Sequence, residues 1–506
     1  MVITSISSER LRTVTVWTTA LVALFACVCS LFWRMYLDTP ILLYLAKQMV
    51  QQGAVPYRDF VEMNLPLTYG FFSGIVAVLG SSDLSVAVAQ ALVVGLVSGG
   101  MAYALAGAGR ECAGFGALMG VLRLYSGTWG FTLQRELLAL IPVTIFLGMG
   151  FRVCVIRLRH TLLAAFCLAA LTLIKPQVTL YALPALVLMG LRLDGWRARL
   201  LNLLIVTGVY SAVLALCAAW LIRCGAWQGF CEVVQYWFLY GQMNFCYVFQ
   251  TGPERMQGIM RGVAKMVFSP YLALAILSLG VGVRSGALSR RAAWAWCALL
   301  AISLVVPALS GQFWGYHRLP FFYLCVVSSG YLMTGPRWSV ACAALVALLW
   351  CGFTVPRVIA EARSPAAVRL NHGVADFFAE YLKKHAEPGV RVQPIDWADG
   401  ALHGMLLADA RLATRFPYTF YFYHHVSHPL IQRFRAAFMQ ELQADPPRYL
   451  LDVVSAPKPT GLDTSAGFAA FDAWRAEQYR IVAQTAEARI WQWKAAQGRV
   501  KEVQAP

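Results

Sequence analysis

The sequence predicts a polytopic α-helical membrane protein of about 11 transmembrane helices, with surface helices in the first outer loop and a small C-terminal α/β domain. Three observations predict it. Of 506 residues, 59% are hydrophobic and only 13% charged, half the ~25% charged content of ordinary soluble domains. Apolar runs recur near 14–33, 67–80, 84–108, 113–131, 137–156, 161–174, 177–190, 200–222, 266–283, 292–309, 319–334 and 338–356. Basic residues concentrate in the short loops between them, as cytoplasmic loops of membrane proteins require. Together these exclude a cytosolic enzyme, a disordered scaffold and a secreted disulfide module. The net charge of +17 would suggest nucleic acid for a soluble chain, but inner-loop arginines account for it here. Membrane lipids are the expected partners and nucleic acid is not.

The element order follows from those loops. Ser8-Glu9-Arg10-Leu11-Arg12 places the N-terminus in the cytoplasm, and the first apolar stretch, long and without a small-x-small site, reads as an uncleaved helix. Arg110, Arg157 with Arg159, Arg192 with Arg197 and Arg199, Arg284 with Arg290 and Arg291, and Arg337 share the cytoplasmic side only if 67–80 does not cross. That run is also too short, since a span needs about 20 residues. Eleven spans follow, with the N-terminus inside and the tail outside. The outer side then holds two long loops, 34–83 and 223–265, and the acids Asp38, Asp59, Glu62, Asp83, Glu136, Glu232 and Glu254, so chemistry is expected there. Cys224, Cys231 and Cys246 share one of these loops and could supply one disulfide, although nothing fixes the pairing.

Charge separates two regions. Residues 1–356 carry 24 basic and 10 acidic residues, and 357–506 carry 18 and 15 with no cysteine. The second region predicts a helix over 371–385, a strand over 390–395, a helix near 400–409, a helix over 430–443 and a strand over 448–454. Such alternation reads as α/β. This domain covers the outer cavity, holds an acceptor, or only stabilises the rest. His424-His425-x-x-His428 within it reads as an exposed polar turn.

The first outer loop is the most informative segment. Asp38 stands just past the first helix, followed by Tyr44-Leu45-Ala46-Lys47 and by Gly53-Ala54-Val55-Pro56-Tyr57-Arg58-Asp59-Phe60-Val61-Glu62-Met63-Asn64-Leu65-Pro66-Leu67. A carboxylate there can take a proton from an acceptor hydroxyl; equally, Asp38 can cap a helix starting near Pro40. Gln134-Arg135-Glu136 lies at the next outer turn, as catalytic groups or interfacial anchors. Lys175 before Pro176 can meet a phosphate as a point charge or snorkel at a helix end. Gly311-Gln312-Phe313-Trp314-Gly315-Tyr316-His317-Arg318-Leu319-Pro320 forms a tight turn. In it Arg318 can grip phosphate bidentately, and Tyr316 or His317 can hydrogen-bond phosphate or sugar. Arg123 lies within an apolar run, where a charge faces a cavity or partner. The aromatic-rich 223–265 loop, Tyr240 included, could line a polyprenyl groove or rest on headgroups. No His-x3-His or Cys-x2-Cys spacing appears; Glu62 with His317 could hold a divalent metal on topology alone, and no other cofactor is indicated.

The pattern Asp-x5-Tyr-x-Ala, then Gly-x-x-Pro-Tyr-x-Asp-Phe-x-x-x-Asn-x-Pro-Leu, resembles the first outer loop of the C-type (GT-C) glycosyltransferases, which include the protein O-mannosyltransferases and the aminoarabinose lipid A transferases. The resemblance implies an enzyme that takes a sugar from a polyprenyl-phosphate donor and gives it to a glycan, glycolipid or protein acceptor in the cell envelope, as in lipopolysaccharide modification. It implies Asp38 as base and Glu136 as a second acid. It further implies that Arg58, Arg135, Lys175, Tyr316, His317 and Arg318 orient the sugar or steady the phosphate, with Asp59 and Glu62 as first-loop acids. Two other readings remain open: a lipid-linked sugar flippase or transporter, and a polymerase or ligase using a diphosphate-linked donor.

Overall fold

The computed structural model describes residues 7–126, 132–245, 250–252, 254–363, 370–396, 400–454 and 458–497. The apolar runs fold as helices: α1 (Ser8–Ser30), α4 (Asp83–Leu105), α5 (Arg110–Ser126), α6 (Arg135–Arg152), α7 (Leu158–Ile174), α8 (Leu183–Gly190), α9 (Gly195–Arg223), α12 (Pro270–Arg284), α13 (Arg290–Ser310), α14 (Leu319–Val327) and α15 (Arg337–Arg363). Between them, α2 (Asp38–Gln52) and α3 (Pro66–Leu79) fill the first loop, and α10 (Trp227–Tyr240) and α11 (Glu254–Val267) the later one.

Five described helices are long and apolar enough to cross a membrane: α1, α4 with the short turn after it, α9, α13 and α15. Counting the pair α11 and α12, bent by 46°, makes six. The other runs are shorter or interrupted, for definite reasons. Pro176 ends α7, because the residue before proline is pushed out of the helical region, and 176–182 continues as a 3-10 helix. Residues 328–334 are likewise 3-10 after α14. α6 carries Arg135, Glu136 and Arg152 at its ends. The helix over the 67–80 run has 14 residues, about 21 Å at 1.5 Å per residue, short of a ~30 Å hydrocarbon core. α9 is almost wholly uncovered by protein, and its Leu200, Leu203, Leu204, Leu216 and Trp220 point outward, the surface a lipid-facing helix presents.

The chain after α15 builds a five-stranded sheet. Its elements are α16 (Leu370–His385), β1 (Arg391–Ile395), α17 (Ala401–Leu407), β2 (Arg411–Leu412), α18 (Pro429–Ala444), β3 (Tyr449–Val453), α19 (Ala469–Gln478), β4 (Tyr479–Gln484) and β5 (Ala488–Trp493). Strand order is β2-β1-β3-β5-β4. β1 runs parallel to β2 and β3, with Val392 opposite Tyr449, and β5 runs antiparallel to β3 and β4.

This sheet unit is tied to the first loop rather than tethered loosely. Arg34 donates two 2.8 Å hydrogen bonds to Asp376, Tyr44 donates to the Ala410 carbonyl, and Lys47 pairs with Asp409. The Val61 amide donates to the Arg415 carbonyl at 2.7 Å, and Tyr421 donates back to the Val61 carbonyl. On the other flank α10 lies directly on the first-loop turn. A Cβ at Gly229 would stand 2.0 Å from the Tyr57 carbonyl oxygen, so only glycine permits this approach.

The histidine motif is not an exposed turn. His424 is fully buried and hydrogen-bonds Tyr236 at 2.6 Å and His425 at 2.8 Å. Burial, with His425 beside it, pulls its pKa down to about 3. His428 caps α18, its Nδ1 accepting from the Leu430 amide. Cys224 and Cys231 are both free thiols; Cys246 lies outside the described residues.

Candidate active site beneath the sheet unit

Asp38 does not cap its helix. α2 starts at Asp38 itself, and the preceding Leu37 supplies no side-chain cap. Leu37 is held at φ 54°, a conformation that costs a non-glycine residue about 1–3 kcal/mol and persists only where surroundings enforce it. Thr39 provides part of that enforcement, donating at 2.6 Å to the Thr132 carbonyl. The Asp38 carboxylate is thereby turned toward the Arg135 guanidinium, 3.8 Å away. Desolvation raises the Asp38 pKa above its ordinary value, partly opposed by Arg135, and Glu62 and Glu136 push it the same way as burial.

A cavity of about 40 Å³ opens here, lined among others by Asp38, Glu62, Arg135, Tyr240, Tyr316 and Tyr418. A second, about 10 Å³, is lined by Glu136, Lys175, Tyr181 and His317. Two pairs of consecutive residues join them. Arg135 and Tyr316 face the first cavity; Glu136 and His317 face the second. The first has room for about one water, so a sugar enters only if side chains move.

Glu136 is buried, and its Oε1 receives the Lys175 ammonium at 2.5 Å. Lys175 is therefore committed to a carboxylate rather than held open. Glu136 Oε2, Arg135 Nε and Tyr181 OH are buried without a hydrogen-bond partner among the described residues. Three unmet polar atoms around two neighbouring cavities are what a ligand with complementary groups would satisfy. The His317 ring contacts the Gln312 carbonyl through Nδ1 at 2.8 Å and faces Glu136 at 3.5 Å. Burial and the neighbouring Lys175 bring its pKa down to about 3, so it is neutral at physiological pH and adds no positive charge.

The remaining sequence-derived residues divide. Glu62 lines the first cavity but is fully engaged. It accepts from the Asn64 amide and side chain at 2.8–2.9 Å, from Tyr69, and from Tyr418 at 3.1 Å. Its place is thus the joint between first loop and sheet unit. Glu62 and His317 line different cavities, and no group of three His, Cys, Asp or Glu side chains converges among the described residues. This pair therefore does not fit a divalent metal. Arg58 pairs with Asp59 at 2.7 Å and donates to the Cys224 carbonyl at 3.1 Å; neither residue lines either of these two cavities. Arg318 starts the turn into α14 but lines neither cavity. Arg123, buried one turn from the end of α5, lies over the rings of Tyr271 and Phe322 at 5.7 and 5.4 Å, a cation–π setting.

Tyr418 and Tyr181 were missed as site residues. Tyr418 stands in Pro417-Tyr418-Thr419-Phe420-Tyr421-Phe422-Tyr423, an aromatic run whose density was the available signal. Tyr181 sits in an apolar stretch and gave none.

No family model matches the sequence, and no curated protein matches it. The fold does match solved structures. ArnT from Cupriavidus metallidurans bound to undecaprenyl phosphate superimposes with a TM-score of 0.59 at 14% identity, over 94% of this chain and 97% of that one. Its apo state gives 0.59 at 13% identity, over 95% and 98%. Arabinofuranosyltransferase AftD from Mycobacteria is similar at 0.47 and 15% identity, over 94% of this chain and 40% of that one. The similarity to ArnT runs through both the helical part and the sheet unit, and the chain shares that fold.

Proposed function

We propose that this chain is an inverting glycosyltransferase that moves a sugar from a polyprenyl-phosphate donor to an acceptor hydroxyl at the outer face of the bacterial inner membrane, in modification of a cell-envelope glycan or glycolipid. The observation that carries the reading is the Asp38 carboxylate, free of capping and facing Arg135 in a cavity that neighbours the one at Glu136 and Lys175. The fold shared with ArnT, a protein solved with undecaprenyl phosphate bound, supports the donor class. In this reading residues 1–356 are a catalytic helical domain of 11 spans with the N-terminus cytoplasmic, α3 lies along the surface, and 357–506 is a periplasmic domain.

Asp38 takes the proton of the acceptor hydroxyl as its oxygen attacks the anomeric carbon. The bond from that carbon to the phosphate oxygen breaks, and its electron pair leaves with the lipid phosphate. Arg135 and Tyr316 flank the attacked carbon, and Arg135 answers the charge that grows on the phosphate. Glu136 holds Lys175 so that its ammonium reinforces the same field, and neutral His317 faces the same carboxylate.

The chemistry sets a pH profile. A base works only when deprotonated, and burial raises the Asp38 pKa. Transfer should therefore fall as pH drops through a value above the ordinary ~4 of an aspartate, and His317, already neutral, should add no second inflection near ~6.5. Initial rates across pH in proteoliposomes check this; a rate that stays level down to the ordinary aspartate range contradicts it. The reading as a whole is tested by offering a panel of synthetic polyprenyl-phosphate sugars to the reconstituted protein. Transfer from at least one supports it. Transport of intact lipid-linked sugar without transfer would support a flippase instead, and reaction only with diphosphate-linked donors a polymerase or ligase.

A further inference from the structure

The sheet unit contains a larger cavity than either at Asp38, about 190 Å³, at the C-terminal ends of β1 and β3. Its place follows from topology. The chain leaves β1 for β2 on one side and then passes to β3 on the other, so two adjacent parallel strands end where their connections diverge. Open α/β sheets leave a crevice there, and ligands bind in it.

We propose that this cavity binds a saccharide and, resting on the transferase reading above, that the saccharide is the glycan of the acceptor. Three acids, Asp396, Asp452 and Asp472, face three bases, Lys458, Arg475 and Arg489. The balance of charge disfavours a polyanion. A sugar hydroxyl both donates and accepts, so it can bridge carboxylate and guanidinium in one contact. Phe420 on the wall offers apolar surface to the C–H side of a sugar ring, while the Lys458 ammonium lies over the Tyr423 ring, 4.3 Å from its centroid. The acids are held in place: Arg475 donates to Asp452 and to Asp472, both at 3.1 Å, and Asp396 accepts from the Ala401 amide at 2.9 Å. Arg475 Nε is buried with no hydrogen-bond partner among the described residues.

The cavity is also a neighbour of the first. Thr419 and Phe420 line it, while Tyr418, the residue before them, lines the Asp38 cavity and donates to Glu62. The Phe420 ring stands 5.9 Å from Tyr240, which lines the Asp38 cavity too. The Phe420 and Tyr240 rings, in contact, stand between the two. An acceptor with one sugar in the sheet cavity thus has its next sugar at the edge of the Asp38 cavity.

The test uses the full chain in lipid nanodiscs, with saturation-transfer NMR of the methyl glycosides of mannose, galactose and N-acetylglucosamine, and inorganic phosphate as a separate probe. At least one glycoside should bind at millimolar concentration. Its Kd should rise by about tenfold or more in Lys458→Met with Arg489→Met, the loss of two charged hydrogen-bond donors, and remain near wild type in Asp38→Asn. Arg489→Lys should recover part of the affinity, which a misfolded sheet would not. Binding of phosphate alone, or glycoside binding untouched by the double variant, overturns the proposal. So does a wild-type protein that transfers sugar but binds none of the glycosides, which leaves the transferase reading intact. Glycoside binding without any transfer instead keeps the sheet site as a saccharide site and removes the transferase reading.

Discussion

Asp38→Asn should lower transfer by about 10²–10⁴-fold, the usual worth of a positioned general base, with little change in thermal stability. The two halves of this expectation come from the same geometry. The carboxylate makes no capping bond to α2, so the helix loses only the charge–dipole interaction of a first-turn acid, about 1 kcal/mol or less, when it becomes an amide. Its neighbour is Arg135 at 3.8 Å, too long for a strong hydrogen bond, so the native ion pair is also modest. What the amide cannot do is accept the acceptor's proton. Initial rates and unfolding midpoints of the two proteins, compared in one membrane mimic, check both halves. A variant that keeps its rate removes Asp38 from the mechanism. One that loses rate and stability together would mean that the residue holds the first loop in place.

Lys175→Met should destabilise the protein by about 3–5 kcal/mol, because breaking a buried pair strands an uncompensated charge. Glu136 is 2% exposed, and its Oε2 already lacks a partner among the described residues. Neutral His317 cannot replace the ammonium. The double variant Glu136→Gln with Lys175→Met buries no charge at that point and should recover much of the loss, while transfer stays low in both. A double-mutant cycle from thermal or denaturant unfolding isolates the coupling. Additive effects of the two substitutions would show that the pair does not hold this corner of the site.

Local signals and long-range partners were legible to very different degrees. The helices could be read because each buries or exposes a continuous apolar run, and α16, β1, α17, α18 and β3 could be read from alternation within one segment. β4 and β5 were not anticipated. β4 is the edge strand and much of it is exposed, so it lacks the apolar alternation that marks a half-buried strand. The misread histidines have the same origin. His424 is polar among aromatics, and Tyr236, 188 positions away, meets its Nε2 and so helps to make its burial tolerable. Glu62 likewise owes its role to Tyr418, 356 positions away. The residue types needed for chemistry at Asp38, Arg135, Glu136 and Lys175 were visible in sequence. That Lys175 serves Glu136, and that Arg58 turns away to Asp59, are facts of packing that spacing along the chain does not encode.

The central claim is transfer with departure of a lipid monophosphate, and the products test it most directly. Reconstituted protein would be given a polyprenyl-phosphate sugar of defined anomeric configuration with an envelope glycan or glycolipid fraction as acceptor. The lipid product would be read by mass spectrometry and the new linkage by NMR. The account predicts one polyprenyl phosphate released per sugar transferred, and an inverted anomeric centre. Retained configuration, or donor recovered intact on the opposite face of the membrane, would contradict it.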